Sequence, residues 1–395
     1  MSSEPLLITA RSTVSALGQG LEAAKEALQS ERSGLRPNDY DEGRLATWIG
    51  RVDGVETVVL PDALAPFDCR NNRLAALGLE TDGFAGMVAT ARERYGAGRI
   101  GLFLGTSTSG IEATEQAYHQ RAGNDGPLPT SFDYRHTHNT YSCADFTRRY
   151  LELEGPAQVI STACSSSAKV FATASRYIEA GWCDAAVVGG IDSLCLTTLL
   201  GFNALELVSG EPCRPWDKHR SGINIGEAAG FALLEPAGGR EGVALLGYGE
   251  SSDAYHMSTP HPQGEGARQA MQQALERAGL TPAQVDYINL HGTATASNDR
   301  AEDQAVTGLF DAVPCSSTKG WTGHTLGAAG ITEAIFCSLS IEHGFLPGTL
   351  NTREIDPALT TPVLRHTLQQ PVRVAMSNSF GFGGSNCALI FGWCD

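Results

Sequence analysis

Cys164 lies in the segment Ser161-Thr162-Ala163-Cys164-Ser165-Ser166-Ser167, directly after an apolar, strand-like run and directly before a long helical pattern. A cysteine at a helix start faces unpaired backbone N–H groups and the positive end of the helix dipole, both of which favour thiolate over thiol. It is the best-placed nucleophile in the chain. Three further segments carry groups suited to acyl chemistry, each among glycines or small residues that let a substrate approach the backbone. They are His291-Gly292-Thr293-Ala294-Thr295, then Ser316-Ser317-Thr318-Lys319-Gly320-Trp321-Thr322-Gly323-His324 with the following Leu326-Gly327-Ala328-Ala329-Gly330, and Ser377-Asn378-Ser379-Phe380-Gly381-Phe382-Gly383-Gly384-Ser385-Asn386. Taken singly, each has a plain reading: a histidine after a strand is commonly a hydrogen-bonded core or turn residue, and Gly381 to Gly384 is a tight hairpin. The four together, in this order, point to chemistry.

Elements able to position these residues alternate along the whole chain, which predicts an α/β protein without a linker visible in composition. Ile100-Gly101-Leu102-Phe103-Leu104 reads as a buried strand closed by the small-residue turn Gly105 to Gly110. Gln158-Val159-Ile160 leads to Cys164, and a helix runs from there to about Ala180, stopped by Gly181. Asp184 to Gly190 is a further buried strand. In the second half, Gly266 to Gly279 has the period of an amphipathic helix, and Val285 to Leu290 is a strand that delivers His291 at its C-terminal end, where α/β folds place chemistry. Each half thus presents a reactive residue at a strand-to-helix junction. That repetition predicts a pseudo-duplicated fold with the site between its halves, residues 1–240 and 241–395.

Composition narrows the function classes. The chain has 395 residues with 28 Lys and Arg against 44 Asp and Glu, a net charge of −16, which argues against a nucleic-acid groove. No window has the roughly 18 uninterrupted apolar residues of a membrane span, and Met1-Ser2-Ser3-Glu4-Pro5 lacks the charge and apolar run of a secretory leader, so a cytoplasmic location is expected. The ten cysteines are scattered singly, without a Cys-x-x-Cys pair or a Cys/His cluster at zinc spacing. Neither a disulfide scaffold nor structural zinc is expected, and Cys195 and Cys337, within apolar runs, read as inert packing. An acidic partner would need a local basic patch, for which Arg121, Arg135, Arg148 and Arg149 are candidates.

The four segments resemble the β-ketoacyl-acyl-carrier-protein synthases of the thiolase superfamily, of the elongating type with a Cys-His-His site. The resemblance is carried by Thr162-Ala163-Cys164-Ser165-Ser166, His291-Gly292-Thr293-x-Thr295, Lys319-x-x-Thr322-Gly323-His324 and Asn378-Ser379-Phe380-Gly381-Phe382-Gly383-Gly384, with Pro215-Trp216-Asp217, Arg220, Asp299, Glu302 and Glu333 in the expected places. It implies a layered α-β-α-β-α thiolase-like fold. It further implies that Cys164 accepts an acyl chain from a carrier's phosphopantetheine, that the backbone N–H groups of Cys164 and Phe382 hold the oxyanion, and that His291 and His324 donate to the thioester oxygen of a decarboxylating malonyl unit. By the same resemblance Lys319, with Glu302 and Glu333, organises the electrostatics around the histidines. Thr293 and Thr295 would bind the pantetheine arm, and Phe202, Phe380 and Phe382 would line or gate the acyl pocket. Acyl carrier protein is the implied partner, in a homodimer or in a heterodimer with a related subunit; no metal or resident cofactor is implied.

Two departures, the first strand Leu6 to Ser12 without its usual glycine turn and Gly226-Glu227-Ala228-Ala229-Gly230, indicate a divergent branch such as polyene-type secondary-metabolite synthesis. The rival readings are a chain-length-factor-like, non-condensing partner subunit, a thiolase or initiating synthase, and a scaffold protein. Retention of Cys164, His291, Lys319 and His324 together weighs against each of them.

Overall fold

Ten strands and six helices of the computed structural model position the site; residues 4–40, 44–123 and 125–395 are described. The strands are β1 (Leu6–Ser15), β2 (Ile100–Gly105), β3 (Ala157–Ile160), β4 (Ala185–Asp192), β5 (Ala228–Pro236), β6 (Gly242–Ser252), β7 (Tyr287–Asn289), β8 (Cys315–Ser316), β9 (Val374–Gly381) and β10 (Ser385–Cys394). The helices are α1 (Arg70–Glu80), α2 (Ser166–Glu179), α3 (Leu196–Ala204), α4 (Glu265–Ala278), α5 (Ala296–Thr307) and α6 (Ala329–His343). Fully buried apolar runs such as Ile100 to Gly105 and Ala185 to Asp192 are strands covered on both faces, as parallel pairs require.

The strand order makes the duplication explicit. In the first half it runs β1-β5-β4-β2-β3, and in the second β6-β10-β9-β7-β8. Both runs show the same relations, two antiparallel pairings followed by two parallel ones. They meet at β1 and β6, whose antiparallel pairing Leu6↔Leu245 and Leu7↔Ala244 joins them into one sheet. The two β layers that the family resemblance implies are two five-strand runs fused along this short seam.

Helices α2 and α6 pack on each other, and each touches strands of both runs, forming the middle layer; α1 and α4 cover the outer faces. The approach of α2 to α6 is close because Gly330 stands at the crossing: a Cβ there would lie 2.4 Å from the backbone nitrogen of Ala168. Glycines end the helices where expected, with Gly181 and Gly279 at φ 71° and 64°. Among the described residues no helix is long and apolar enough to cross a membrane. All ten cysteines are free and nine are buried, Cys195 and Cys337 included.

Candidate active site

The nucleophile turn follows β3. Ala163 sits at φ 53°, a left-handed conformation unusual for alanine, and this turns the chain sharply from strand to helix with Cys164 just ahead of α2. The serines beside it hold the turn: Ser166 Oγ accepts the Thr162 N–H at 2.9 Å and donates to the Ala163 carbonyl at 2.6 Å, and Ser165 Oγ donates to the Thr162 carbonyl at 2.9 Å. Across the cavity, the hairpin between β9 and β10 brings the Phe382 N–H to the sulfur of Cys164. Gly381 makes this approach possible, since a Cβ there would fall 2.8 Å from the Thr162 carbonyl oxygen and 3.3 Å from the Cys164 nitrogen.

His324 Nε2 lies 3.0 Å from Cys164 Sγ, while its Nδ1 accepts the Leu326 N–H at 3.2 Å. In a neutral imidazole this assigns the proton to Nε2, so the ring donates toward the sulfur. His291 follows β7, with its ring centroid 5.4 Å from that of His324 at an interplanar angle of 82°. One ligand-type atom from each of Cys164, His291 and His324 falls within 4.8 Å of the others. Burial holds both histidines well below the usual imidazole range, and the nearby Lys319 charge adds to this, so both are neutral at pH 7.

Burial pushes the Cys164 thiol up to about 11, against the pull of Lys319 and the Phe382 N–H. The thiolate preference expected from helix placement alone is therefore outweighed by desolvation in the resting site. The local pull is still visible by comparison, because the equally enclosed Cys143, Cys337 and Cys387 are pushed further up.

Lys319 and Glu333 form a buried ion pair, Nζ to Oε1 at 2.6 Å, with both side chains at most 4% exposed. Glu302, grouped with Lys319 on sequence, is engaged elsewhere. Its two oxygens accept the His291 and Gly292 N–H groups at 2.8 Å each, and Asn378 Nδ2 donates to it at 3.2 Å. Glu302 is thus the clamp of the His291 turn, and burial pushes its carboxyl up to about 7 despite these donors. Asp299 performs a similar task one step away, accepting from Trp216 N at 3.0 Å and Ala294 N at 3.2 Å beside Arg220. Trp216 and Ala294 both have positive φ, so Asp299 fixes two strained turns against each other.

A cavity opens onto these groups, and Thr293, Thr295, Phe202, Phe380 and Phe382 all line it beside Cys164 and both histidines. The hydroxyls of Thr293 and Thr295 are 2.9 Å apart, and the Thr295 hydroxyl also caps α5 through the Asn298 N–H. The Phe202 and Phe382 rings are 5.5 Å apart, meeting from α3 and the β9–β10 hairpin. Leu207, Ile223, Asp253 and the loop Ser258 to Pro260, which sequence reading did not single out, complete the wall. Among the basic-patch candidates, Arg148 and Arg149 are both drawn to Asp145.

Two family models match this chain: the N-terminal domain of β-ketoacyl synthase over residues 3–238 and the C-terminal domain over residues 243–353. The chain belongs to the β-ketoacyl synthase family. This synthase is 32% identical to 3-oxoacyl-[acyl-carrier-protein] synthase 2 of Vibrio cholerae, with 99% of both chains covered. It is 40% identical to the mitochondrial 3-oxoacyl-[acyl-carrier-protein] synthase of Arabidopsis thaliana over 60% of this chain and 56% of that one. Among solved structures it is similar to the ketosynthase ApeO in complex with its chain length factor ApeC from Xenorhabdus doucetiae, with a TM-score of 0.89, 40% identity, and 99% and 98% of the two chains covered. The ishigamide ketosynthase/chain length factor matches with a TM-score of 0.90 at 27% identity, covering 98% and 99%. These likenesses establish the thiolase-like ketosynthase fold.

Proposed function

We propose that this synthase extends acyl chains by two carbons through decarboxylative Claisen condensation. In the first half-reaction Cys164 sulfur attacks the thioester carbonyl of an acyl carrier; the C–S bond to the carrier breaks, and the carrier thiol leaves with the proton that Cys164 gives up. The Cys164 and Phe382 N–H groups face the oxygen that becomes negative. In the second, a malonyl thioester enters and its C–C bond to the carboxylate breaks, releasing carbon dioxide and leaving the electron pair on an enolate. His291 and His324, neutral and enclosed, donate hydrogen bonds to the enolate oxygen. The enolate carbon attacks the acyl carbonyl, and collapse of the adduct breaks its bond to sulfur, releasing the β-ketoacyl carrier and a Cys164 thiolate that takes up a proton from water.

The observation that carries this reading is the occupied Nδ1 of His324. With the Leu326 N–H on Nδ1, Nε2 at 3.0 Å from sulfur is a donor and not a base, as enolate stabilisation requires and as a protease-like cysteine–histidine ion pair does not. The same proton leaves Nε2 without a lone pair to offer a metal ion. The phosphopantetheine arrives on the carrier, with Thr293 and Thr295 facing it in the cavity. A chain-length-factor-like partner would have no use for an acylatable cysteine set among two donor histidines. The solved ketosynthase–chain length factor likenesses support a dimeric assembly with a second copy or a related subunit, and ten free thiols suit a reducing cytoplasm.

The test is acyl carrier incubated with malonyl carrier labelled at C2. Release of carbon dioxide with the label retained in a product two carbons longer is the expected result; malonyl carrier consumed without a longer product would overturn the assignment.

A further inference from the structure

Asp192 closes β4, fully enclosed, and takes no part in the reaction steps above. Its Oδ1 accepts the Ser107 and Thr108 N–H groups at 2.8 and 2.7 Å and the hydroxyls of Thr106 and Thr108 at 2.8 and 2.7 Å. Its Oδ2 accepts the Gly327 N–H at 2.5 Å. One carboxylate therefore binds two turns that are distant in sequence. The first follows β2, and its Ser107 hydroxyl donates at 3.3 Å to the carbonyl of Ala163, the strained residue before Cys164. The second contains Leu326 at φ 53°, an unfavourable conformation for a branched side chain, and it is this residue whose N–H reaches His324 Nδ1. Gly327 is packed so closely that a Cβ would lie 2.7 Å from Asp192 Oδ2 and 2.8 Å from Ser107 Oγ.

We propose that Asp192 is a positioning residue that ties the Cys164 turn to the His324 turn and, by holding Leu326 in its left-handed conformation, fixes the Nε2–H tautomer of His324. An aspartate suits this task because its two oxygens accept five donors at once, while an asparagine must turn its amide against N–H groups at one end or the other. The charged and titratable groups that face the Cys164 sulfur are Lys319, Glu333, His291, His324 and Asp192 itself. Of these, only Asp192 is bonded both to the turn after β2, whose Ser107 reaches Ala163, and to the Leu326–Gly327 turn. The inference rests on Cys164 being the acylated residue, but its test needs neither carrier nor condensation, so its failure leaves the proposed reaction standing.

The experiment uses the full chain, with ¹⁵N-histidine NMR to read the His324 tautomer and the pH dependence of Cys164 alkylation by iodoacetamide, followed by mass spectrometry. Asp192→Asn is expected to lose the predominant Nε2–H tautomer, which is the readout for this variant because removing the Asp192 charge by itself favours the Cys164 thiolate. Asp192→Glu, which keeps both acceptor oxygens, restores the tautomer. Ser107→Ala cuts only the link to Ala163 and is expected to slow alkylation while leaving the His324 spectrum unchanged; it tests the coupling even where Asp192→Asn does not accumulate as folded protein. A folded Asp192→Asn with the wild-type tautomer, equal loss of the tautomer in the Asn and Glu variants, or a silent Ser107→Ala overturns the proposal.

Discussion

Removing the Lys319 charge should expose what its pairing with Glu333 contributes. The two groups lie 2.6 Å apart with almost no solvent access, so either one left alone is an uncompensated charge in a low-dielectric interior. Breaking such a pair costs about 3–5 kcal/mol, whereas replacing both partners by apolar groups of similar size is close to neutral. Lys319→Met and Glu333→Leu are therefore each expected to lose several kcal/mol in urea unfolding, and the double variant to recover most of that loss. The pH dependence follows from the direction of the Glu333 shift. Burial already raises its carboxyl above the usual range, and without Lys319 it rises further. The folded state then binds a proton that the unfolded state releases above about 4.5. The deficit of Lys319→Met is thus present at pH 8 and shrinks as pH falls toward 5. Thiol reactivity should behave differently: the double variant regains stability but not the pull of Lys319 on Cys164, and its alkylation stays shifted to higher pH. Single losses that add within about 0.5 kcal/mol, or a Lys319→Met deficit independent of pH, would refute this reasoning.

With Cys164 at about 11, alkylation of the wild type should rise about tenfold per pH unit from 7 to 9, because only thiolate reacts; a plateau in that range would reveal a stable cysteine–histidine ion pair. His324→Ala removes the donor 3.0 Å from sulfur and is expected to slow malonyl decarboxylation by about 10²–10³ with little change in unfolding midpoint, as measured by carbon dioxide release and urea titration. Gly330→Leu drives a side chain into the backbone of Ala168 and should cost about 1–3 kcal/mol or more in stability, read by the same titration.

Much of this architecture was legible because it rests on local periodicity. Apolar runs, helical spacing and stopping glycines mark β2, β3, β4, α2 and α4 to within a residue or two. The strand read over Val285 to Leu290 is shorter, Tyr287–Asn289, and Asp286 just before it accepts the Arg373 and Val374 N–H groups on its carboxylate. The reacting groups were legible because cysteine, histidine and lysine in small-residue turns are chemically conspicuous. What those groups lean on was not. Glu302 grips the backbone of the His291 turn instead of Lys319, and Asp192 joins Thr108 to Gly327, pairings set by how two halves of a sheet close on each other. A lone acid at the end of the apolar strand Ala185 to Asp192 was the available signal, since a buried carboxylate must find donors. The outcome for Cys164 has the same origin: the helix start is local, but the enclosure that raises its thiol is tertiary.

The most direct measurement of the central claim is the intact mass of the protein after exposure to a panel of acyl carriers and then to malonyl carrier. The predicted result is a gain of one acyl mass located on Cys164, lost again when malonyl carrier is added, as a β-ketoacyl carrier two carbons longer appears. No adduct on the wild type, or continued condensation by Cys164→Ala, would contradict it.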